Sequence, residues 1–106
     1  MQDDRNGQTA VIFVSLRSDA DPEGYAEAAE AMDRLAAAQP GYCGIDSARG
    51  ADGIGVTVSY WADEAAAVAW RQHAEHAAIR EMGRSQWYER YTVSVATVTR
   101  GYRWAK

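Results

Sequence analysis

The residues best suited to chemistry are concentrated in one stretch of the chain, from Ser59 to Arg100. Indoles, imidazoles, phenols and guanidinium groups occur there at short intervals: Trp61, Trp70, His73, His76, Arg80, Arg84, Trp87, Tyr88 and Tyr91. Aromatic rings can enclose a flat ligand, and an imidazole can accept a proton near neutral pH. The pattern predicts a cleft for a flat organic molecule.

Two histidines are the candidate general bases. His73 follows Trp70 by three positions, so a helix would place both side chains on one face, and His76 lies three positions further on. If both imidazoles reach a cleft, their mutual repulsion keeps one of them neutral near pH 7. The alternative for either histidine is a hydrogen bond between helix and sheet, or a position that faces solvent.

Four further aromatic residues can line the same cleft: Trp61, Trp87, Tyr88 and Tyr91. Each ring would also stabilise a core or a subunit interface, by about 1.5 to 3 kcal/mol when fully buried. For Trp61 and Trp87 this packing role is the favoured one.

Arg80 and Arg84 are candidates to hold an anionic phenolate or carboxylate, since guanidinium donates hydrogen bonds in a fixed fork. Surface ion pairs with Glu81 and Glu89 are the alternative for both. Ser15, in the first apolar segment, can also direct a hydroxyl at a ligand, although the strand register decides which face of the sheet its side chain occupies.

Metal and disulfide chemistry are not expected. Cys43 is the only cysteine, which rules out an intrachain disulfide and suits a small apolar position in a strand. On a helix, Glu75 would point away from His73 and His76, and no third ligand lies near them in sequence. These residues therefore do not predict a zinc site.

Size and charge narrow the class of protein. The 106 residues suffice for one core, and 47% are hydrophobic and 25% charged, as in an ordinary soluble domain. The net charge of -4 and the lack of basic runs argue against nucleic acid as a partner, and no apolar stretch indicates a membrane span or a secretion signal. We expect a cytoplasmic protein with a flexible leader over residues 1–8 and one domain over residues 9–106.

Six elements are predicted to position these side chains. Asp21-Pro22 and Asp63 are helix start signals, and Asp52-Gly53 between two strand-like runs is a hairpin signal. A short helical turn is expected over residues 85–89. The elements are strands at 9–16, 42–49, 54–61 and 91–100, and helices at 22–38 and 64–82.

This order, β-α-β-β-α-β, predicts an α+β, ferredoxin-like fold in which two helices cover one face of an antiparallel sheet. In the second helix, Ala66, Trp70, His73 and Ala77 have the spacing of a buried stripe. The first strand is apolar on both faces, so something must also cover the face without helices. A homodimer formed through the sheet faces is the simplest explanation, and Tyr102 and Trp104 suit contact with a partner.

With these elements in place, the chain resembles the antibiotic biosynthesis monooxygenase (ABM) family of dimeric α/β barrels. The resemblance spans about Thr9 to Arg100 and rests on Ser59-Tyr60-Trp61 with Asp63-Glu64, Ala69-Trp70, His76, Gly83-Arg84, Trp87-Tyr88 and the strand from Tyr91. It implies a homodimer formed by the sheets, and a cavity between helices and sheet in each subunit that Trp70 helps to line.

The family includes cofactor-independent monooxygenases of quinols and polycyclic phenols, haem-degrading oxygenases and proteins without a known reaction, so the fold does not name a substrate. The haem-degrading branch has a Trp on the second helix, a His ten positions later and an Asn on the first strand. Trp70 matches, but Arg80 and Ser15 stand at the other two places, which disfavours haem degradation. A haem-binding variant would need His73 or His76 as ligand in a different register.

The resemblance therefore implies a cofactor-independent monooxygenase, without cofactor or metal, that oxidises a phenolic or quinol-type aromatic small molecule with O2. In that chemistry the deprotonated substrate supplies the electrons, and the protein supplies a base, a dry aromatic pocket and a donor to the developing oxyanion. The alternative is a non-catalytic, ligand-binding or stress-associated dimer of the same fold.

Overall fold

A single antiparallel sheet with two helices on one of its faces forms the protein in the computed structural model. The structure describes residues 5–80 and 87–106, and over residues 75–80 it describes the backbone alone. The strand order is β2-β3-β1-β4, with β1 at the centre between β3 and β4. The predicted ferredoxin-like order of elements is confirmed: β1 Thr9–Arg17, α1 Pro22–Ala37, β2 Tyr42–Arg49, β3 Ile54–Trp61, α2 Glu64–Arg80 and β4 Tyr88–Thr97.

The predicted start signals act as expected. The Asp21 carboxylate accepts a hydrogen bond from the Gly24 amide at 3.1 Å, and the Asp63 carboxylate accepts one from the Ala66 amide at 2.8 Å. Both bonds satisfy amides that a helix leaves without an internal partner. In the β2–β3 turn the carboxylate of Asp52 accepts from the Ile54 amide at 3.0 Å, which fixes the predicted hairpin.

The last strand differs most from its prediction. It begins at Tyr88 rather than Tyr91 and ends at Thr97 rather than Arg100. Tyr88 and Glu89 lie in this strand and not in a short helix, because the strand pairs with β1 as far as Arg17 and this ladder satisfies their backbone groups. The rest of the expected turn, and the expected end of α2 at residues 82 and 83, lie outside the described residues.

The two faces of β1 have different surroundings. Val11 belongs to the core beneath the helices, so Phe13 and Ser15 share this helix face, since side chains alternate along a strand. Ile12 and Val14 point to the helix-free face, where Val14 pairs with Val56 of β3. The first strand is therefore apolar on both sides, as predicted.

The core lies between the sheet and the helices. Val11, Ala36, Trp61, Ala67 and Trp70 form it, and Met32, Leu35, Tyr42, Ala66 and Ala74 pack against it.

The inward line of α2 differs from the predicted stripe through Ala66, Trp70, His73 and Ala77. Ala67 is fully buried and Ala74 packs on the core, while His73 is exposed. Ala66 and Trp70 pack in the core as predicted, but the line is centred on positions 67, 70 and 74, with spacings of three and four residues. This rotation moves His73 to the margin of the buried face, and the Ala77 side chain lies outside the described residues.

The N-terminal segment from Arg5 to Gln8 is held by the sheet. The Gly7 amide donates to the Val98 carbonyl at 2.8 Å, and the Val98 amide donates to the Gln8 carbonyl at the same distance. The Arg5 guanidinium lies over the Tyr60 ring, 3.8 Å from its centroid. No helix in the part of the chain that the structure describes is long and apolar enough to span a bilayer.

Candidate functional site

A β-bulge determines which phenols face the helices. Leu16 pairs with Arg90, but Arg17 pairs with Tyr88, so β4 contains one extra residue, Glu89, opposite the end of β1. In a regular strand Tyr88 and Tyr91 would face opposite sides, because they are three positions apart. The bulge returns Tyr88 to the same side as Tyr91, and their ring centroids are 6.0 Å apart.

One end of the helix face is closed by two stacked indoles, Trp61 and Trp70, which we call the tryptophan pair. Their ring centroids are 5.6 Å apart with planes inclined by 23°, and the edge of Tyr42 packs against Trp61. Trp61 is fully buried, and its indole N–H donates to the Ser59 hydroxyl at 2.9 Å. Packing is therefore the observed role of Trp61, and Trp70, only 6% exposed, packs in the same core.

Of the candidate bases, only His73 has a described side chain. Its ring centroid lies 6.2 Å from that of Trp70, so the two side chains are neighbours on α2 as predicted, but the imidazole is exposed in the single chain. The structure places it at the margin of the tryptophan pair. The side chains of His76 and Arg80, and the whole of Arg84, lie outside the described residues.

The other end of the helix face contains a second group of rings, which we call the tyrosine cluster: Phe13, Tyr25, Trp87, Tyr88 and Tyr91. Phe13 contacts Tyr88 and Tyr91 at centroid distances of 5.5 and 5.3 Å, and Tyr25 contacts Trp87 and Tyr88 at 6.0 and 5.8 Å. Most of these contacts are edge to face, the arrangement that aromatic quadrupoles favour. The cluster brings together three predicted ring residues, Trp87, Tyr88 and Tyr91, and adds Phe13 and Tyr25.

Polar groups from three elements enter the tyrosine cluster. Arg49, at the end of β2, donates to the hydroxyls of Ser15 at 2.8 Å and Tyr25 at 3.1 Å. The Arg17 guanidinium lies over the Tyr25 ring, 4.0 Å from its centroid, and donates to the Trp87 carbonyl at 2.8 Å. Ser15 is thus on the helix face and only 1% exposed, with its hydroxyl engaged by Arg49 rather than directed at open space.

Tyr88 is held in its neutral form. Burial raises the pKa of its phenol above the ordinary 10.0, and the neighbouring Tyr25 phenol with its hydrogen bond raises this pKa further. Arg49 and Arg17 act in the opposite direction without cancelling these effects. A neutral phenol in this position can donate a hydrogen bond over the whole physiological pH range.

Between the two aromatic ends, the helix face is incompletely covered. Val93 and Val95 of β4 lie directly opposite Phe13 and Val11, so they face the helices, yet they are 38% and 41% exposed. Phe13 itself is half-buried. These side chains form an apolar strip along β4, bounded by the tyrosine cluster, on which a flat ring can lie.

Sequence reasoning missed the apolar residues Phe13, Val93 and Val95 of this site, and also Arg17, Tyr25 and Arg49. A charged side chain that ends an apolar strand is the signal for Arg17, and Arg49 stands at the corresponding place before the hairpin. The spacing of Tyr25, Ala29, Met32 and Ala36 predicts only a packing face of α1, and Tyr25 does face the sheet, where it contacts Trp87 and Tyr88. The bulge that completes the cluster leaves no sequence signal that periodicity detects.

One other surface feature lies apart from this site. A shallow depression on the outer side of α2 is lined by Glu64, Ala65, Val68, Ala69 and Gln72. Among the described residues, no group of three or more His, Cys, Asp or Glu side chains is placed to bind a metal ion.

Comparison with known proteins gives matches in both sequence and structure. A family model described as antibiotic biosynthesis monooxygenase matches residues 8–82. The uncharacterized protein YqjZ of Bacillus subtilis is 56% identical over 91 residues, which cover 86% of this chain and 79% of YqjZ.

Two solved structures illustrate the shared fold. SnoaB from Streptomyces nogalater, described as a cofactor-independent oxygenase, superposes with a TM-score of 0.64 at 14% identity, over 86% of this chain and 92% of SnoaB. A dimeric ferredoxin-like protein of unknown function from Thermobifida fusca gives 0.66 at 14% identity, over 87% of this chain and 92% of that protein. At these identities the likeness shows the fold alone.

Proposed function

Because the chain belongs to the antibiotic biosynthesis monooxygenase family, we propose that it is a cofactor-independent monooxygenase of a phenolic or quinol-type aromatic molecule. The observation that carries this proposal is the apolar strip of Val93 and Val95 beside the tyrosine cluster. A flat ring bound there would lie on the apolar side chains of Val93 and Val95, with the hydrogen-bond donors of the tyrosine cluster at one edge of the ring. SnoaB, a cofactor-independent oxygenase of the same fold, gives independent support.

The proposed reaction needs a base and a water-poor surface. A base removes a proton from the bound phenol or quinol, the resulting electron-rich anion reduces O2, and the oxygen adds to the ring carbon that carries the charge. Loss of water from the peroxide leaves one oxygen atom in the product. We assign the base to His73, which adjoins Trp70, or to His76, with Arg80 or Arg84 as further candidates to orient the anion.

Oxygen uptake tests this function. The purified protein, with a metal chelator present, is given a panel of hydroquinones and anthrones in an oxygen electrode, and uptake above the rate in buffer is expected for at least one of them. Replacing the base, by His73→Ala or by His76→Ala, should lower the rate by about 10²- to 10⁴-fold. Arg34→Gln, which alters a surface ion pair on α1, is the matched control and should leave the rate unchanged.

No uptake with any member of the panel would contradict the proposed reaction. Uptake that neither histidine variant lowers would keep the reaction and reject the assignment of the base.

A second candidate function is supported by the packing of the tryptophan pair. Trp70 stacks on Trp61 and is nearly buried, so it contributes little open surface for a substrate in the single chain. This favours a dimer that binds an aromatic ligand without turning it over. Ligand binding in calorimetry, together with absence of oxygen uptake from the same ligand, would identify this function.

We also propose that the protein forms a homodimer through the helix-free face of the sheet. Ile54 and Val56 of β3 are each 40% exposed there, opposite Leu16 and Val14 of β1. Branched apolar side chains on adjacent strands form a continuous patch that association would remove from water. The dimeric Thermobifida fusca protein of the same fold supports this assembly.

A further inference from the structure

Two guanidinium groups adjoin the tyrosine cluster, and no described carboxylate balances their charge. Arg17 and Arg49 both reach Tyr25, one over the ring and one to the hydroxyl. Within the described residues neither guanidinium is within ion-pair distance of a carboxylate, whereas the exposed Arg34 pairs with Glu30 at 3.0 Å. Two cations without a carboxylate partner among the described residues, beside partly buried rings, favour an anion next to them.

The donors of the cluster are only partly used. Within the described residues the hydrogen bonds of Arg49 run to Ser15, Tyr25 and the Gly53 carbonyl, so this residue positions Tyr25 rather than contacting a ligand. The Tyr25 oxygen accepts from Arg49 at 3.1 Å, and the Tyr25 ring lies beside that of Tyr88, with centroids 5.8 Å apart. Because Arg49 uses this oxygen as an acceptor, the Tyr25 hydroxyl keeps its proton to donate to a ligand.

Trp87 supplies a second available donor. Its indole N–H is buried and has no hydrogen-bond partner within the described parts of the chain, although the residue is only 8% exposed. Leaving a buried N–H without an acceptor is destabilising, so such groups usually have a partner in the functional state. The carbonyl of the same residue accepts from Arg17 and from the Ser18 amide, both at 2.8 Å, which fixes its backbone beside Tyr25.

We propose that the tyrosine cluster is a binding site for an anionic oxygen carried by an aromatic ring. The Tyr25 hydroxyl and the Trp87 indole N–H donate to the oxygen, Arg17 and Arg49 supply the positive charge, and the ring lies towards Phe13 and Val93. This inference rests on the function proposed above and specifies its substrate: an aromatic acid or phenol bound as the anion, rather than a neutral hydrocarbon ring. An anion held by these groups has its charge at the end of the apolar strip.

Equilibrium binding tests the site without any need for turnover. The full-length protein is titrated by calorimetry with two pairs of similar shape: 1-naphthoate against 1-naphthamide, and 4-nitrophenolate against 4-nitroanisole. One or both anions should bind about tenfold or more tightly than the neutral partner, because hydrogen bonds to charged groups are the stronger ones. A preference within the naphthoate pair indicates a site for a carboxylate, and a preference within the nitrophenolate pair indicates a site for a phenolate.

Single substitutions show which residues cause the preference for the anion over the neutral compound. Tyr25→Phe removes one hydroxyl and keeps the ring, and Arg17→Gln removes one charge; either should reduce the preference to less than about threefold. Arg34→Gln removes a charge at a distance on α1 and should retain the full preference. If Arg17→Gln does not unfold cooperatively, Tyr25→Phe decides the result by itself.

Equal binding of anion and neutral partner in both pairs would overturn the proposed site, as would a preference that Tyr25→Phe leaves intact. Because no step depends on oxygen, a positive result stands even if oxygen uptake is absent. Conversely, oxygen uptake without anion preference keeps the proposed function and rejects this site.

Discussion

At the scale of single residues, the environment and not the residue type separates packing from chemistry. Trp61 and Trp87 are both buried indoles, but Trp61 donates to Ser59 whereas the Trp87 N–H has no partner among the described residues. The sequence treats them alike. Ser59, two residues before Trp61 in β3, lies on the same face and accepts the Trp61 bond, whereas Ser85, the residue two positions before Trp87, lies outside the described residues.

The raised pKa of Tyr88 predicts how stability depends on alkaline pH. The folded protein keeps this phenol protonated above pH 10, where an unfolded chain releases the proton, so the stability that Tyr88 contributes is present below about pH 10 and lost above it. Unfolding by urea between about pH 8 and about pH 11 should show a steeper loss of stability for the wild type than for Tyr88→Phe.

Tyr102→Phe is the control for this measurement, because Tyr102 is 77% exposed and carries the same phenol. Its stability should fall with pH in parallel with the wild type. A Tyr88→Phe curve that also parallels the wild type would show that the folded chain does not hold the Tyr88 proton.

At the scale of elements, sequence signals predicted regular structure well and irregular structure poorly. Both caps, the hairpin and the bounds of β2 and β3 follow from local side-chain chemistry and from turn residues, which act over a few positions. The bulge at Glu89 depends on pairing with β1, more than 70 positions earlier in the chain, so local patterns do not reveal it. The tyrosine cluster was therefore only half predicted.

Gly41, between α1 and β2, provides a test of how closely the elements approach. It has a φ of +84°, and a Cβ added there would meet the Cβ of Ala66 in α2 at 2.7 Å. Gly41→Ala combines backbone strain with this collision, and should destabilise the protein by about 2 to 4 kcal/mol. Urea unfolding gives the change in the free energy of unfolding.

Gly7→Ala is the matched control for Gly41→Ala. Gly7 also has a φ of +84°, but an added Cβ would meet nothing within 4 Å. Gly7→Ala should lower the free energy of unfolding by the backbone strain alone, about 1 to 2 kcal/mol. The difference between the two variants then measures the collision between position 41, just before β2, and Ala66 of α2. Equal costs would show that α2 moves aside without penalty.

At the scale of the whole molecule, the sheet has two apolar faces and the helices of one chain cover only one. The helix face contains both aromatic ends, and the helix-free face presents Ile12, Val14, Ile54 and Val56. The double-sided apolarity of β1 was visible in the sequence because both alternate sets of residues are apolar. The second face is covered in the assembly and not by the chain itself. The periodicity of one sequence therefore shows that a cover is needed but not which molecule provides it.

The helix-free face should therefore control the oligomeric state. Val56→Lys places a charge at a position that is 40% exposed and pairs with Val14, so in a dimer formed by this face it would bury ammonium groups near the partner sheet. Light scattering after size exclusion should give a dimer mass for the wild type and at least about tenfold weaker association for the variant. Ala65→Lys, on the exposed outer side of α2, adds the same charge away from this face and should remain dimeric. A wild-type monomer would contradict the proposed dimer. Dissociation of Ala65→Lys with Val56→Lys still dimeric would assign the interface to another surface.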